Sequence, residues 1–136
     1  MNRIVPIMFM LLIFAGCANP AQPSVQATIQ QASYRQISMD DAIAMMEAEL
    51  DYILLDVRTA AEFAEKHIPG AINIANEDIG TEEIPELPDL DQLILVYCRS
   101  GNRSKQASQK LAELGYRNVV EFGGINSWPG DVVSGN

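Results

Sequence analysis

Several residue types are scarce in this chain of 136 residues, and each scarcity excludes a class of protein. Two cysteines, Cys17 and Cys98, are too few for a scaffold held together by disulfides. A single histidine leaves no ordinary set of metal ligands, so we predict no metal and no cofactor. Only 9 basic residues stand against 18 acidic ones, and the net charge of −9 makes nucleic acid a poor partner.

The chain also lacks an apolar run long enough to cross a membrane. The uncharged run over residues 4–16 is shorter than the roughly 20 residues that a spanning helix needs. Its length suits the core of a signal peptide. It ends in Phe14-Ala15-Gly16-Cys17, which resembles the lipobox of bacterial lipoproteins. We therefore predict a signal peptide over residues 1–16.

The lipobox resemblance implies that Cys17 is lipidated and becomes the first mature residue. Residues 17–33 would then be a flexible tether, since 19–33 is uncharged and rich in Gln, Ala, Ser and Pro. The folded part would lie in the cell envelope, outside the cytoplasm, and contact a membrane only through the lipid. Ala18 stands where a retention signal for the inner membrane usually has Asp, which favours an outer membrane. Because Phe14 departs from the usual aliphatic residue, an ordinary secretory signal stays an alternative.

Residues 34–136 alternate between apolar runs of strand length and amphipathic helical patterns. Strands are predicted over residues 34–37, 52–55, 71–74, 93–97 and 119–122. Helices are predicted after an N-cap at Ser38, over 60–66 after Thr59, and over 104–114. The inward stripes of the first and third helices are Ile43, Met46, Leu50 and Ala107, Leu111, Leu114. This alternation predicts an α/β fold with a mainly parallel central sheet.

Candidate chemistry is concentrated in a predicted loop over residues 98–103, between a strand and a helix. Ligands of open α/β sheets bind at the carboxyl ends of strands, and helix N-termini point N–H groups at anions. Gly101 permits a tight turn there. Arg99 and Arg103 are cations that can lower the pKa of the Cys98 thiol. We predict an anion cradle with Cys98 as nucleophile; a buried, inert cysteine is the alternative.

Three ordered motifs resemble those of the rhodanese family of sulfurtransferases. The active-site loop of that family resembles Cys98-Arg99-Ser100-Gly101-Asn102-Arg103-Ser104. Its N-terminal signature resembles Asp56-Val57-Arg58, Glu62-Phe63 and His67-Ile68-Pro69-Gly70-Ala71. Its C-terminal signature resembles Gly123-Gly124-Ile125-Asn126-Ser127-Trp128. The resemblance covers about residues 34–130 and implies a single rhodanese-like domain, a three-layer α/β/α structure over residues 34–136.

The resemblance implies a ping-pong sulfur transfer through a persulfide on Cys98. The donor is a small anion such as thiosulfate, and the acceptor is a thiol, a protein thiol or cyanide. The residues expected to bind the anion are Arg99, Ser100, Gly101, Asn102 and Arg103. Arg103 would also orient the loop, and Arg99 would attract a charged donor. We expect a monomer.

We expect the remaining motif residues to have structural roles. Asp56 ends a buried strand, so Asp56 and Arg58 are expected to brace the active loop through ion pairs or hydrogen bonds. His67 is expected to be satisfied by backbone groups near a turn, with proton transfer as the alternative. Trp128 is expected in the core or in a pocket wall.

Two other function classes remain open. Phosphatases and arsenate reductases of the Cys-x5-Arg type carry Arg six positions after the cysteine, where this chain has Ser104. The shorter loop should fit a tetrahedral phosphate poorly. A sulfur carrier or redox-sensing interaction module would load sulfur on Cys98 but release it only to its own partner.

Overall fold

A computed structural model describes residues 31–135. The strands are β1 (Arg35–Gln36), β2 (Tyr52–Asp56), β3 (Ile72–Asn73), β4 (Leu93–Cys98) and β5 (Val119–Gly124). The α-helices are α1 (Met39–Ala48), α2 (Ala60–Glu65) and α3 (Asn102–Glu113), with 3₁₀ turns at Asn76–Asp78 and Ile125–Ser127. The predicted signal peptide, Cys17 and most of the predicted tether lie outside the described residues.

The five strands form one sheet in the order β1-β5-β4-β2-β3, and every neighbouring pair is parallel. This confirms the predicted α/β class and the parallel central sheet. Successive strand residues point to opposite faces. Leu55, Val96 and Val119 pack on the face that α3 covers. Leu54, Leu95 and Val120 pack on the face that α1 covers. None of the helices within residues 31–135 could span a membrane.

The predicted helix starts are confirmed at two caps. Ser38 Oγ accepts a hydrogen bond from the Asp41 N–H at 3.1 Å. Thr59 and Glu62 form a reciprocal capping box at the start of α2. These side chains satisfy N–H groups that the first helical turn leaves without partners.

Two details of the predicted elements are wrong. The chain leaves the helical conformation at Glu49, so Leu50 is outside α1 and is 98% exposed instead of being part of its inward stripe. Helix α3 begins at Asn102, two residues before the predicted start. Gly101 is its N-cap in the left-handed region, with φ 114°, and this turns the chain into the helix immediately after a very short loop. Arg103 therefore belongs to the helix.

A buried ion pair ties the end of β2 to the segment after α2. Arg58 Nη2 donates to Asp56 Oδ2 at 2.6 Å, and the two side chains are 3% and 0% exposed. The same Nη2 donates to the Lys66 carbonyl at 2.7 Å. Within residues 31–135, neither side chain hydrogen-bonds to residues 99–103, so their contacts brace the chain before His67 rather than the active loop directly.

We expect Arg58→Met to lower the free energy of unfolding by about 3–5 kcal/mol, because the Asp56 carboxylate would stay buried without its cation. Urea unfolding measures this loss. Arg117→Met is the matched control, since Arg117 and its partner Asp91 are 62% and 68% exposed and such pairs contribute little. Equal stability of the two variants would contradict this interpretation.

Candidate active site

Cys98 is the last residue of β4, at the carboxyl edge of the sheet, and it is 1% exposed. The chain then turns back so that the Gly101 N–H donates to Cys98 Sγ at 3.1 Å. The hydroxyl oxygen of Ser104, in the first turn of α3, lies 3.4 Å from the same sulfur. The sulfur thus lies beside the N-terminal end of a helix, as the strand-loop-helix pattern predicted.

These surroundings change the acidity of the thiol. Burial raises the pKa of Cys98, because a charge in the interior loses its hydration. Hydrogen bonds from the Ser104 hydroxyl and from the N–H groups of Ser104, Gly101 and Ser100 lower it by more. The pKa of Cys98 therefore lies below the usual value for a thiol. The largest lowering effects come from hydrogen-bond donors at the end of the loop and the start of α3, where the sequence had pointed to a helix N-terminus and to the two arginines.

The end of β5 makes room for this loop. Gly124 is paired with Cys98 across the sheet, and the Asn126 N–H donates to the Arg99 carbonyl at 3.2 Å. A Cβ atom at position 124 would overlap the carbonyl of Arg99, so only glycine fits there. Gly123 has φ 99°, in the left-handed region. The two glycines thus lie beside the active loop.

The two arginines of the motif have different surroundings. Arg99 is exposed at the loop. Arg103 forms two parallel hydrogen bonds with Glu62 of α2, at 2.7 and 2.9 Å. The bond from Arg103, with further bonds from Thr59, lowers the pKa of Glu62 to about 2 despite partial burial. Arg103 therefore links the start of α3 to the start of α2, and its predicted contact with an anion stays a prediction, as does that of Arg99, Ser100, Gly101 and Asn102.

Two other motif residues, His67 and Trp128, have their hydrogen-bond partners outside the active loop. His67 Nδ1 is 2.9 Å from the Phe63 carbonyl, and its ring stacks on Phe63, which agrees with a histidine satisfied by backbone. Trp128 packs against the core on the α1 face and donates from Nε1 to the Asp131 carbonyl at 3.0 Å. Neither residue hydrogen-bonds to the active loop within residues 31–135.

The sequence interpretation assigned no site role to three residues of the site, namely Glu62, Ser104 and Glu121, although the first two belong to the quoted motifs. Glu121 is 3% exposed, and its Oε1 accepts from the Ser104 hydroxyl at 2.6 Å and from the Gly123 N–H at 2.8 Å. One signal was available for Glu121, which is the only charged residue in the apolar strand run 119–122. No local signal pointed to the partnership of Glu62 with Arg103, because the two are far apart in sequence.

A depression of about 370 Å³ lies behind the active loop. It is lined by residues that include Ser100, Gly101, Lys105, Glu121 and Gly123. A larger cavity of about 630 Å³ lies between Thr59 and an acidic segment over residues 78–86, and none of residues 98–104 lines it. The described part of the chain contains no cluster of three or more side chains suited to a metal ion.

Comparisons with known proteins identify the family of this domain. The profile of the rhodanese-like domain family matches residues 38–131. Thiosulfate sulfurtransferase PspE of Escherichia coli is 35% identical over 71 residues, covering 52% of this chain and 68% of that protein. Adenylyltransferase and sulfurtransferase UBA4 of Candida albicans is 34% identical over 106 residues, covering 73% of this chain but only 24% of that protein. The structure of a rhodanese with anions from E. coli aligns with TM-score 0.57 at 34% identity, over 62% of this chain and 99% of that one.

We expect Gly124→Ala to lower the free energy of unfolding by at least about 1–3 kcal/mol, because the new methyl group must displace the Arg99 backbone. Displacing this backbone also disturbs the donors around the sulfur, so alkylation of Cys98 should slow. Urea unfolding and the alkylation rate measure the two effects. Gly80→Ala is the control, because a Cβ atom there meets nothing within 4 Å. A Gly124→Ala protein as stable and as reactive as the wild type would contradict the steric argument.

Proposed function

This chain belongs to the rhodanese-like domain family, and on that premise we propose that it is a sulfurtransferase. It moves a sulfane sulfur from a small anionic donor, such as thiosulfate, to a thiol acceptor through a persulfide on Cys98. The observation that carries this proposal is the Cys98 sulfur within hydrogen-bond distance of the Gly101 N–H and the Ser104 hydroxyl. These donors stabilise negative charge on sulfur, which both the attacking thiolate and the persulfide carry.

In the first half-reaction, the Cys98 thiolate attacks the outer sulfur of thiosulfate. A new S–S bond forms to Cys98, the old S–S bond breaks, and sulfite leaves with its electron pair. The outer sulfur stays on Cys98 as an anionic persulfide. The start of α3 and the backbone of residues 99–103 hold that charge, and the exposed Arg99 attracts the donor.

In the second half-reaction, an acceptor thiolate attacks the outer sulfur of the persulfide. The S–S bond to Cys98 breaks, the acceptor leaves as a persulfide, and the Cys98 thiolate is regenerated. Cyanide replaces the thiol in an assay and leaves as thiocyanate. Splitting one transfer into two displacements is covalent catalysis, and it leaves the protein unchanged after each cycle.

Relatives and the site geometry support this reaction over phosphate chemistry. PspE is named a thiosulfate sulfurtransferase, and the similar rhodanese structure from E. coli contains anions. The position that holds Arg in Cys-x5-Arg enzymes is Ser104, and its hydroxyl faces the sulfur and Glu121. Arg103 is held by Glu62. The chain spans about a quarter of UBA4, so the activity of that larger protein does not carry over.

We expect the full chain to form thiocyanate from thiosulfate and cyanide, and Cys98→Ser to abolish this turnover. The serine hydroxyl is a far weaker nucleophile at neutral pH than a thiolate. Cys17→Ser is the control that should keep full turnover. Undiminished turnover in Cys98→Ser would contradict the proposal. Sulfur loading without turnover would instead indicate a carrier that needs a specific protein acceptor.

We also propose that the chain is held in the cell envelope by a lipid on Cys17, because residues 14–17 resemble a lipobox. In bacterial cells that express the full chain, the protein should sediment with membranes, and Cys17→Ser should move it to the soluble fraction. Cys98→Ser should leave the distribution unchanged. A wild-type protein found in the soluble fraction would contradict the lipid anchor.

A further inference from the structure

A continuous chain of buried polar groups leads away from the reactive sulfur. Cys98 Sγ lies 3.4 Å from Ser104 Oγ, and Ser104 Oγ lies 2.6 Å from Glu121 Oε1. The three residues are 1%, 0% and 3% exposed. The nucleophile, a hydroxyl and a carboxyl group are therefore connected in the interior without an intervening water molecule.

The Ser104 hydroxyl has one proton, and the acceptor of that proton sets the direction of the hydrogen bonds among Cys98, Ser104 and Glu121. Four possible acceptors surround Ser104 Oγ: Cys98 Sγ, Glu121 Oε1, the Gly101 carbonyl at 2.9 Å and the Gly123 carbonyl at 3.3 Å. The carboxylate of Glu121 is the nearest and the strongest acceptor. With the hydroxyl donating to Glu121, the Cys98 thiol donates to Ser104 Oγ, and the sulfur keeps its own proton.

Glu121 has no cation among its partners within residues 31–135. Its Oε1 accepts only from the Ser104 hydroxyl and the Gly123 N–H. Buried carboxylates are ordinarily paired with a cation. Asp56, by contrast, has the Arg58 guanidinium against both of its carboxylate oxygens.

The charged groups around Cys98, Ser104 and Glu121 come from several helices and loops. Lys105 of α3 lines the depression beside Glu121, but no ion pair joins the two within the described part of the chain. Arg103 faces the sulfur side and is neutralised by Glu62 of α2. Arg99 is exposed on the loop. From the β1–α1 turn only neutral residues line the depression, namely Gln36, Ile37, Ser38 and Met39.

We propose that Glu121 accepts the proton of Cys98 through Ser104, as a positioning residue that generates the thiolate. The Cys98 S–H bond breaks as a new O–H bond forms on Ser104, and the original Ser104 O–H bond breaks as an O–H bond forms on Glu121. Charge moves from the carboxylate to the sulfur, and the net charge of the three groups is unchanged. Ser104 then donates to the thiolate, and neutral Glu121 donates to Ser104.

This proposal deepens the sulfurtransferase assignment and rests on it, because a thiolate is what attacks the donor. The transfer needs no proton exchange with solvent, so Cys98 can be a thiolate below the pH at which the thiol itself titrates. The depression of about 370 Å³ beside Glu121 gives its carboxyl group a route for later proton exchange with water.

The test is the pH dependence of Cys98 alkylation by iodoacetamide in the full chain, followed on the Cys98 peptide so that Cys17 does not interfere. An internal proton transfer makes the thiolate fraction independent of pH, so the wild-type rate should level off over roughly pH 5 to 7. Glu121→Gln keeps the shape of the side chain and cannot accept the proton. Its rate should fall roughly tenfold per pH unit below the pKa of the thiol.

Ser104→Ala should lose the plateau as well, because it removes the hydroxyl that connects Cys98 to Glu121 while leaving Glu121 in place. Ser108→Ala is the matched control, since it removes a fully buried hydroxyl from the same helix that does not connect Cys98 to Glu121. This variant should keep the plateau. The wild-type profile needs no variant, so misfolding cannot obscure the result. A wild-type rate without a plateau would overturn the proposal, as would a plateau that survives in Glu121→Gln.

The reagent is not a sulfur donor, which separates this test from the test of function. A plateau in a protein that forms no thiocyanate would support the proton transfer and contradict the sulfurtransferase assignment. Thiocyanate formation by a protein whose alkylation rate shows no plateau would support the sulfurtransferase assignment and contradict the proton transfer. Faster alkylation of Glu121→Gln than of the wild type at pH 6 would show that the carboxylate represses the thiolate, and would also overturn the proposal.

Discussion

The site depends on a buried sulfur that must be able to carry a negative charge. Burial alone would keep Cys98 protonated, because a thiolate in the interior loses the hydration that water gives it. The hydrogen-bond donors around the sulfur offset that loss, and they exist because the chain reverses within the three residues after β4. Gly101 makes the reversal possible, and Gly124 leaves the space that the reversed backbone occupies. The chemistry of one side chain is thus set by the turn between β4 and α3 and by the space that β5 leaves for that turn.

Two buried carboxyl groups near the sheet edge illustrate how a cation determines the role of an acid. Asp56 has the Arg58 guanidinium against both oxygens and a partner network that runs to Lys66, so it is a fixed charge that holds the chain in place. Among the described residues, Glu121 has only a hydroxyl and an N–H as partners, and the hydroxyl leads to the nucleophile. The same functional group is structural in one place and able to exchange a proton in the other.

The sequence predicts what is encoded locally. Strand periods, the caps at Ser38 and Thr59 and the order of the three motifs were sufficient for the fold class and for the position of Cys98. Local patterns did not show that Gly101 is already the cap of α3, because a glycine with φ 114° is indistinguishable in sequence from a loop glycine. They also missed Glu62 and Glu121, whose partners are 41 and 17 residues away in sequence. Such pairs arise from the parallel register and from helix packing, which one sequence does not specify.

The central claim is that Cys98 carries the transferred sulfur, and the most direct measurement is peptide mass spectrometry of the full chain after brief treatment with thiosulfate. The account predicts that the Cys98 peptide gains the mass of one sulfur atom and that cyanide removes it. Loading on Cys17 alone, or an unmodified Cys98 peptide from a protein that turns over thiosulfate, would contradict it.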